Sequence, residues 1–105
     1  MLYDVRTYVC RPGTIKAHLA LYAEHGFETQ KRHLGEPVLY AQAETGNVNS
    51  YLHIWRYADA ADRERRRSAL QKDPAWIAYL KRSAEAGYLA SQHNTLMTEV
   101  SFFRP

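Results

Sequence analysis

The chain has 105 residues, of which 46% are hydrophobic and 24% charged, so one folded domain over residues 1–105 is expected rather than a disordered segment. Its formal net charge of +3 is too small for the dense basic surface of a dedicated nucleic-acid-binding protein, and its single cysteine excludes an intramolecular disulfide. No apolar run approaches the ~20 residues that span a bilayer, and no signal peptide is visible. We therefore expect a cytoplasmic protein that binds no nucleic acid and inserts into no membrane.

The spacing of apolar residues predicts four strands and four helical segments. In chain order, they are a strand over 2–10, helices over 15–25 and 28–34, strands over 37–44 and 49–57, helices over 59–70 and 74–86, and a strand over 94–103. Gly26 is expected to break the first helical region, and Gly35 to end it. Asp73-Pro74 predicts a new helix, with aspartate as the cap and proline at the first helical position.

This order is β-α-β-β-α-β, with both helical regions broken in two. Right-handed crossovers place both regions on one face of a four-stranded antiparallel sheet. The sequence therefore predicts an α+β, ferredoxin-like fold.

The strand over 49–57 alternates between two unlike faces. Leu52 and Ile54 make one face aliphatic. The other face carries aromatic rings with polar tips, from Tyr51 to Tyr57. Because the helices need an apolar surface, we expect them to cover the aliphatic face, with Val5, Val9 and Leu39 also on that side.

The opposite face of the predicted sheet holds the candidate ligand-binding residues. They are Arg6, Tyr8, Tyr40, Glu44, His53, Trp55 and Tyr57. Left uncovered, this face would be an unusually large apolar patch for a monomer. A homodimer through the sheet face, closing into an α+β barrel, is therefore expected.

Three of these residues are also candidate catalytic groups. The Arg6 guanidinium offers a rigid fork for a carboxylate or enolate oxygen, and a neutral His53 could accept a proton near neutral pH. The Tyr8 hydroxyl could position a ligand oxygen. The set predicts a site for a small aromatic or carboxylate-bearing molecule. The alternative is that Arg6 pairs with Asp4 or Glu44 and the aromatic rings only pack across the dimer.

Other polar residues suggest no further chemistry. The five histidines show no compact ligand spacing, so no metal and no cofactor are predicted. The basic run 63–67 follows two aspartates at helical spacing: Asp59 precedes Arg63 by four residues, and Asp62 precedes Arg66 by four. This order favours internally paired charges on a solvated helix face.

Several segments together resemble a known family. They are RTY at 6–8, RPGT at 11–14, QKRHLG at 30–35, ETG at 44–46, HIWRYAD at 53–59, RERRR at 63–67, DPAW at 73–76 and SQ at 91–92. In this order they resemble NIPSNAP-family domains over almost the whole chain. The resemblance implies a dimeric α+β barrel but no settled activity. The wider superfamily includes cofactor-independent monooxygenases, isomerases, haem proteins and stress-induced binding proteins, so the fold alone does not select a reaction.

Three functions remain open from the sequence. The first is a protein that binds a small molecule in the barrel cavity. The second is a cofactor-independent enzyme, monooxygenase-like or isomerase-like, that uses Arg6 and His53. The third is a structural or partner-recruiting module.

Overall fold

The computed structural model describes residues 1–103. In chain order its elements are β1 (Leu2–Cys10), α1 (Ile15–His25), α2 (Phe27–Leu34), β2 (Leu39–Gln42), β3 (Ser50–Tyr57), α3 (Ala60–Lys72), α4 (Pro74–Ala86) and β4 (Leu89–Thr98). The element order and the break between α1 and α2 agree with the sequence prediction.

The four strands form one antiparallel sheet in the order β2-β3-β1-β4. β1 and β3 are the central pair, with Arg6 opposite His53 and Val5 opposite Ile54. This order confirms the ferredoxin-like α+β fold.

The last strand begins and ends earlier than predicted. It was expected over 94–103, but β4 spans Leu89–Thr98. Pairing with β1 sets these limits, because Cys10 lies opposite Leu89 and Leu2 lies opposite Thr98. Residues after Thr98 have no further β1 residue to pair with, so apolar alternation alone could not locate the strand end. β2 is likewise shorter than the predicted 37–44, at four residues.

Local capping explains where α3 and α4 begin. The Asp59 carboxylate accepts a hydrogen bond from the Asp62 backbone N–H at 2.8 Å, and Asp73 accepts one from the Ala75 N–H at 2.9 Å. Pro74 is the first residue of α4. Aspartate is a favoured residue at this position because its oxygen satisfies a free N–H of the first helical turn.

Gly26 separates α1 from α2 at a point of close packing. A Cβ at this position would lie 3.0 Å from Tyr22 Cδ1 and 3.1 Å from Tyr79 Cγ. Both tyrosine rings are buried, so neither can move away freely. Gly26 is therefore needed for the approach of these rings as well as for the break in the helix.

The helices cover the aromatic face of the sheet, so the predicted facing is wrong. Trp55 and Tyr57 are 0% and 1% exposed. The core around them consists of Tyr22, Leu34, Leu70, Trp76 and Tyr79. Because the large buried side chains of the helices include three aromatic rings, matching rings on the sheet bury more area than the aliphatic face would.

The aliphatic face is the open one. Leu39 and Met97 are 47% and 53% exposed, and Val5, Leu52 and Ile54 are partly exposed. Val9, also expected under the helices, lies on this face and is partly exposed. The surface available for pairing with another protein is thus aliphatic rather than aromatic.

The described helices are short. α3 and α4 have 13 residues each, below the ~20 needed to cross a bilayer. Within residues 1–103, no helix combines the length and the apolar character of a membrane span.

Candidate functional site

A cavity of about 70 Å³ lies between the sheet and the helices. We call it the tyrosine cavity, because Tyr8, Tyr22, Tyr40, Tyr51 and Tyr79 line it together with His53. Its lining also includes Leu80 of α4 and Gln92 of β4, both exposed to solvent. The cavity therefore reaches the surface between α4 and β4.

Stacked rings form one wall of the tyrosine cavity. Tyr40 of β2 lies directly opposite His53 of β3, with ring centroids 4.6 Å apart and an interplanar angle of 10°. Tyr51, two residues before His53, stacks on Tyr40 at 5.9 Å and 13°. Neighbouring strands hold these rings face to face, so this wall is a stack of rings positioned by the sheet.

His53 is neutral and has a defined proton position. Its Nδ1 accepts a hydrogen bond from Trp55 Nε1 at 2.5 Å. An indole nitrogen can only donate, so Nδ1 carries no proton and the neutral ring is protonated at Nε2. Burial, and then the charge of Arg6, lowers the pKa of His53 to about 3.

Burial keeps Tyr22, Tyr40, Tyr51 and Tyr79 of the cavity protonated at neutral pH. Burial raises the pKa of Tyr40 and Tyr51 far above the ordinary value, and it raises that of Tyr79 to about 12. The Tyr22 hydroxyl donates a short hydrogen bond to Gln30 Oε1. These hydroxyls can therefore donate hydrogen bonds but do not supply charge.

Arg6 lies beside the cavity and is already paired. Its Nη1 is 3.1 Å from Asp4 Oδ2, and the same oxygen accepts from Arg63 Nε at 3.1 Å. Asn94 donates to the other Asp4 oxygen at 2.9 Å. Arg6 contacts the cavity lining at Tyr8, whose hydroxyl accepts a hydrogen bond from Arg6 Nε at 3.3 Å. The structure thus shows the Arg6–Asp4 pair that the sequence offered as an alternative.

The other predicted site residues separate into two groups. Tyr8, Tyr40 and His53 come together at the cavity. Trp55 and Tyr57 belong to the core under the helices, outside the cavity lining. Glu44 lies in an exposed turn, because β2 ends at Gln42 before reaching it.

Sequence analysis missed three of the five lining tyrosines as site candidates. Tyr51 shares the alternation of His53, which was a usable signal. Tyr22 and Tyr79 lie on the apolar sides of α1 and α4, where helical spacing is typical of ordinary core residues. Their convergence depends on how the helices cross the sheet, which is not visible in the sequence.

The basic run on α3 is only partly paired as predicted. Arg66 Nε lies 2.9 Å from Asp62, which confirms that pair. Arg63 instead reaches across to Asp4, and Asp59 caps the helix. Within the described residues 1–103, no three histidine, cysteine, aspartate or glutamate side chains lie together as a metal site.

Comparison with known proteins assigns the family. The NIPSNAP family model matches residues 3–104. The chain belongs to the NIPSNAP family. A NipSnap homolog of Dictyostelium discoideum is 33% identical over 76 residues, which are 72% of this chain and 33% of that protein. The matched segment is thus about a third of the length of this curated relative.

Solved structures support the same family and fold. A NIPSNAP family protein with unknown function from Agrobacterium tumefaciens is 36% identical, with a TM-score of 0.89 over 98% of this chain and 91% of the other. An uncharacterized NIPSNAP domain protein from Burkholderia xenovorans is 26% identical, with a TM-score of 0.90 over both full chains. A Nitrosomonas europaea protein, provisionally named an antibiotic biosynthesis monooxygenase, is 10% identical, with a TM-score of 0.67 over 95% of this chain and 99% of its own. At that identity it shows a shared fold alone.

Proposed function

We propose that this NIPSNAP-family protein binds a small molecule in the tyrosine cavity of each protomer of a homodimer. The observation that carries the proposal is a preformed opening among stacked, polar-tipped rings, with the strongly lowered pKa of His53 at its wall. Concave apolar sites with a few fixed polar groups and perturbed pKa values are typical of ligand sites.

The cavity volume limits what can enter. Its 70 Å³ is about half of the roughly 150 Å³ cavity that accommodates benzene in another protein. A ligand of a few non-hydrogen atoms fits inside, and an aromatic ligand must extend through the opening between α4 and β4.

The open sheet face supports the homodimer. Leu39, Met97 and Ile54 lie on this face, and beside them Val38 and Phe103 are about half exposed. Tyr3, Val5, Val38, Ile54, Met97 and Phe103 line a largely apolar hollow of about 410 Å³, whose lining also includes Thr98 and Glu99. A second sheet packing face to face on this side would cover these residues. Each tyrosine cavity then lies within one protomer, on the side of the sheet away from the interface.

The geometry does not favour His53 as a catalytic base. A group with a pKa of about 3, whose Nδ1 already accepts from Trp55, has little capacity to take a proton near neutral pH. Arg6, the second residue of the enzyme hypothesis, is held by Asp4. The partner-recruiting alternative has one observation in its favour: Ile77 and Leu80, one turn apart on α4, are 53% and 42% exposed.

Native mass spectrometry of protein purified without added ligand tests the proposal. We expect a dimer that carries a reproducible added mass. Replacing Ser83, a lining residue on α4, with tryptophan should block the cavity and remove that mass. Ser68→Trp, on α3 and outside the cavity lining, is the matched control and should retain it.

A monomer would contradict the homodimer. An added mass that survives Ser83→Trp would place the ligand elsewhere. A dimer with no added mass would contradict a tightly held ligand. It would favour transient binding or a structural role instead.

A further inference from the structure

We infer that the tyrosine cavity recognises a hydrogen-bond acceptor, the oxygen of a carbonyl group or an oxyanion, because residues behind its wall hold two lining groups as donors. This inference rests on the proposed binding function and gives the chemical class of the ligand. The two groups are His53 and Tyr8, whose ring centroids lie 5.0 Å apart.

His53 is held as a donor by Trp55. His53 Nδ1 accepts a hydrogen bond from the Trp55 indole N–H, so the neutral imidazole carries its proton on Nε2. Within the described residues, Nε2 has no hydrogen-bond partner, although the ring is 2% exposed and lines the cavity. Because this N–H has no protein partner among residues 1–103 and belongs to a ring of the cavity lining, a ligand or water oxygen is the expected acceptor.

Tyr8 is held as a donor by Arg6. A guanidinium has no acceptor, so the Tyr8 oxygen must accept from Arg6 Nε. The Asp4 carboxylate fixes the orientation of that guanidinium. With its oxygen occupied by Arg6, the Tyr8 hydroxyl keeps its own proton available for a ligand.

Tyr51 is paired with His18 behind the wall. His18 is fully buried, and its Nε2 lies 2.6 Å from the Tyr51 oxygen. This separation is short for an N–H donor and ordinary for an O–H donor, so the Tyr51 proton is directed at His18 rather than into the cavity. The donors that face a ligand are therefore those of His53 and Tyr8.

Competing acceptors are scarce in the cavity. Among residues 1–103, its lining contains no aspartate and no glutamate. Gln30 and Gln92 each contribute a carbonyl oxygen, but the Tyr22 hydroxyl occupies that of Gln30, and Gln92 lies at the solvent-exposed opening. An acceptor oxygen therefore meets two donors, whereas a donor group would leave these N–H and O–H groups unpaired. Sites that hydrogen-bond one ligand group in this way reject analogues lacking it.

The first test is the proton position on His53. In protein labelled with ¹⁵N-histidine, with the His53→Gln variant to assign the signals, we expect a neutral ring with its proton on Nε2 from about pH 7 to about pH 5. A proton on Nδ1, or a charged ring near neutral pH, would overturn the inference. This readout does not depend on any ligand.

The second test compares two small ring probes of similar size by chemical-shift titration. Cyclopentanone only accepts hydrogen bonds, and pyrrole only donates one. We expect cyclopentanone to bind at least about tenfold more tightly, and Tyr8→Phe to remove about tenfold of its affinity. Tyr88→Phe removes a hydroxyl outside the cavity lining and should leave the affinity unchanged.

The outcomes separate this inference from the proposed function. Equal or tighter binding of pyrrole in the cavity would reject the inference and leave cavity binding intact. Binding of neither probe, by protein with the expected His53 proton position, would reject cavity binding and the inference with it.

Discussion

The burial of His53 predicts a specific loss of stability in mild acid. Its pKa is about 3 in the folded chain, against an ordinary value of 6.5, because burial and the Arg6 charge disfavour the charged ring. The unfolded chain therefore binds a proton below pH 6.5 that the folded chain does not bind until about pH 3. Stability is full above the upper value and is lost progressively towards the lower one.

The magnitude follows from these two pKa values. One unit of difference corresponds to about 1.4 kcal/mol, so the free energy of unfolding should fall by about 2 kcal/mol between about pH 7 and about pH 5 from His53 alone. This is a large share of the roughly 5–15 kcal/mol that stabilises a typical domain. Ordinary carboxyl groups titrate mostly below this window and contribute little to the loss.

Urea unfolding followed by tryptophan fluorescence, at one fixed protein concentration, measures this loss. The His53→Gln variant cannot titrate at this position, so its stability should fall by about 2 kcal/mol less than that of the wild type over the same pH range. Each protein is compared with itself across pH, so a general destabilisation of the variant does not affect the result. His18, whose pKa is also lowered by burial, is common to both proteins. Equal losses in the two proteins would refute the argument that His53 is buried and neutral.

Three further substitutions test other parts of the structure. Ile54→Asp should convert the proposed dimer to a monomer in size-exclusion chromatography with light scattering, because it places a charge in the aliphatic interface. The control is Ile77→Asp on the exposed side of α4, which should remain a dimer. A dimer mass for Ile54→Asp would exclude this sheet face as the interface. Asp4→Asn should lower the free energy of unfolding by about 3–5 kcal/mol, because it leaves Arg6 and Arg63 without their buried carboxylate. The control is Glu24→Gln, at an exposed position, which should change the free energy little. Similar changes in both variants would contradict a structural role for the Asp4 carboxylate. Gly26→Ala should destabilise the fold, because the added methyl group meets two buried tyrosine rings. This cost should exceed the roughly 0.4–1 kcal/mol that Gly→Ala gains by restricting the unfolded chain. A net gain in thermal stability would show that these rings can move.

Local chemistry made much of the fold predictable. Asp73-Pro74 begins α4 and Gly26 interrupts the first helical region because capping, proline geometry and glycine spacing act within a few residues. The limits of β4 were predicted wrongly because they depend on its partner strand: pairing with β1 starts at Leu89 and ends at Thr98. Such pairing is a contact between distant parts of the chain.

The candidate site likewise has residues that local sequence patterns predict and residues that only tertiary packing brings in. Tyr8, Tyr40 and His53 were predicted together from strand alternation, because the period of two is a property of the backbone itself. The part played by Tyr22 and Tyr79 depends on the packing of α1 and α4 and had no local signal. The role of His53 also changed, since only the structure shows that Trp55 occupies its acceptor nitrogen.

The sequence by itself determined that the sheet has two unlike faces, one aliphatic and one aromatic. It did not determine which face the helices cover, because both faces are apolar enough to be buried. Tertiary packing decided this: the aromatic rings of α1 and α4 match those of β3, and together they bury the larger area. That choice places the tyrosine cavity inside the protomer and leaves the aliphatic face, with Leu39 and Ile54, open to a second copy.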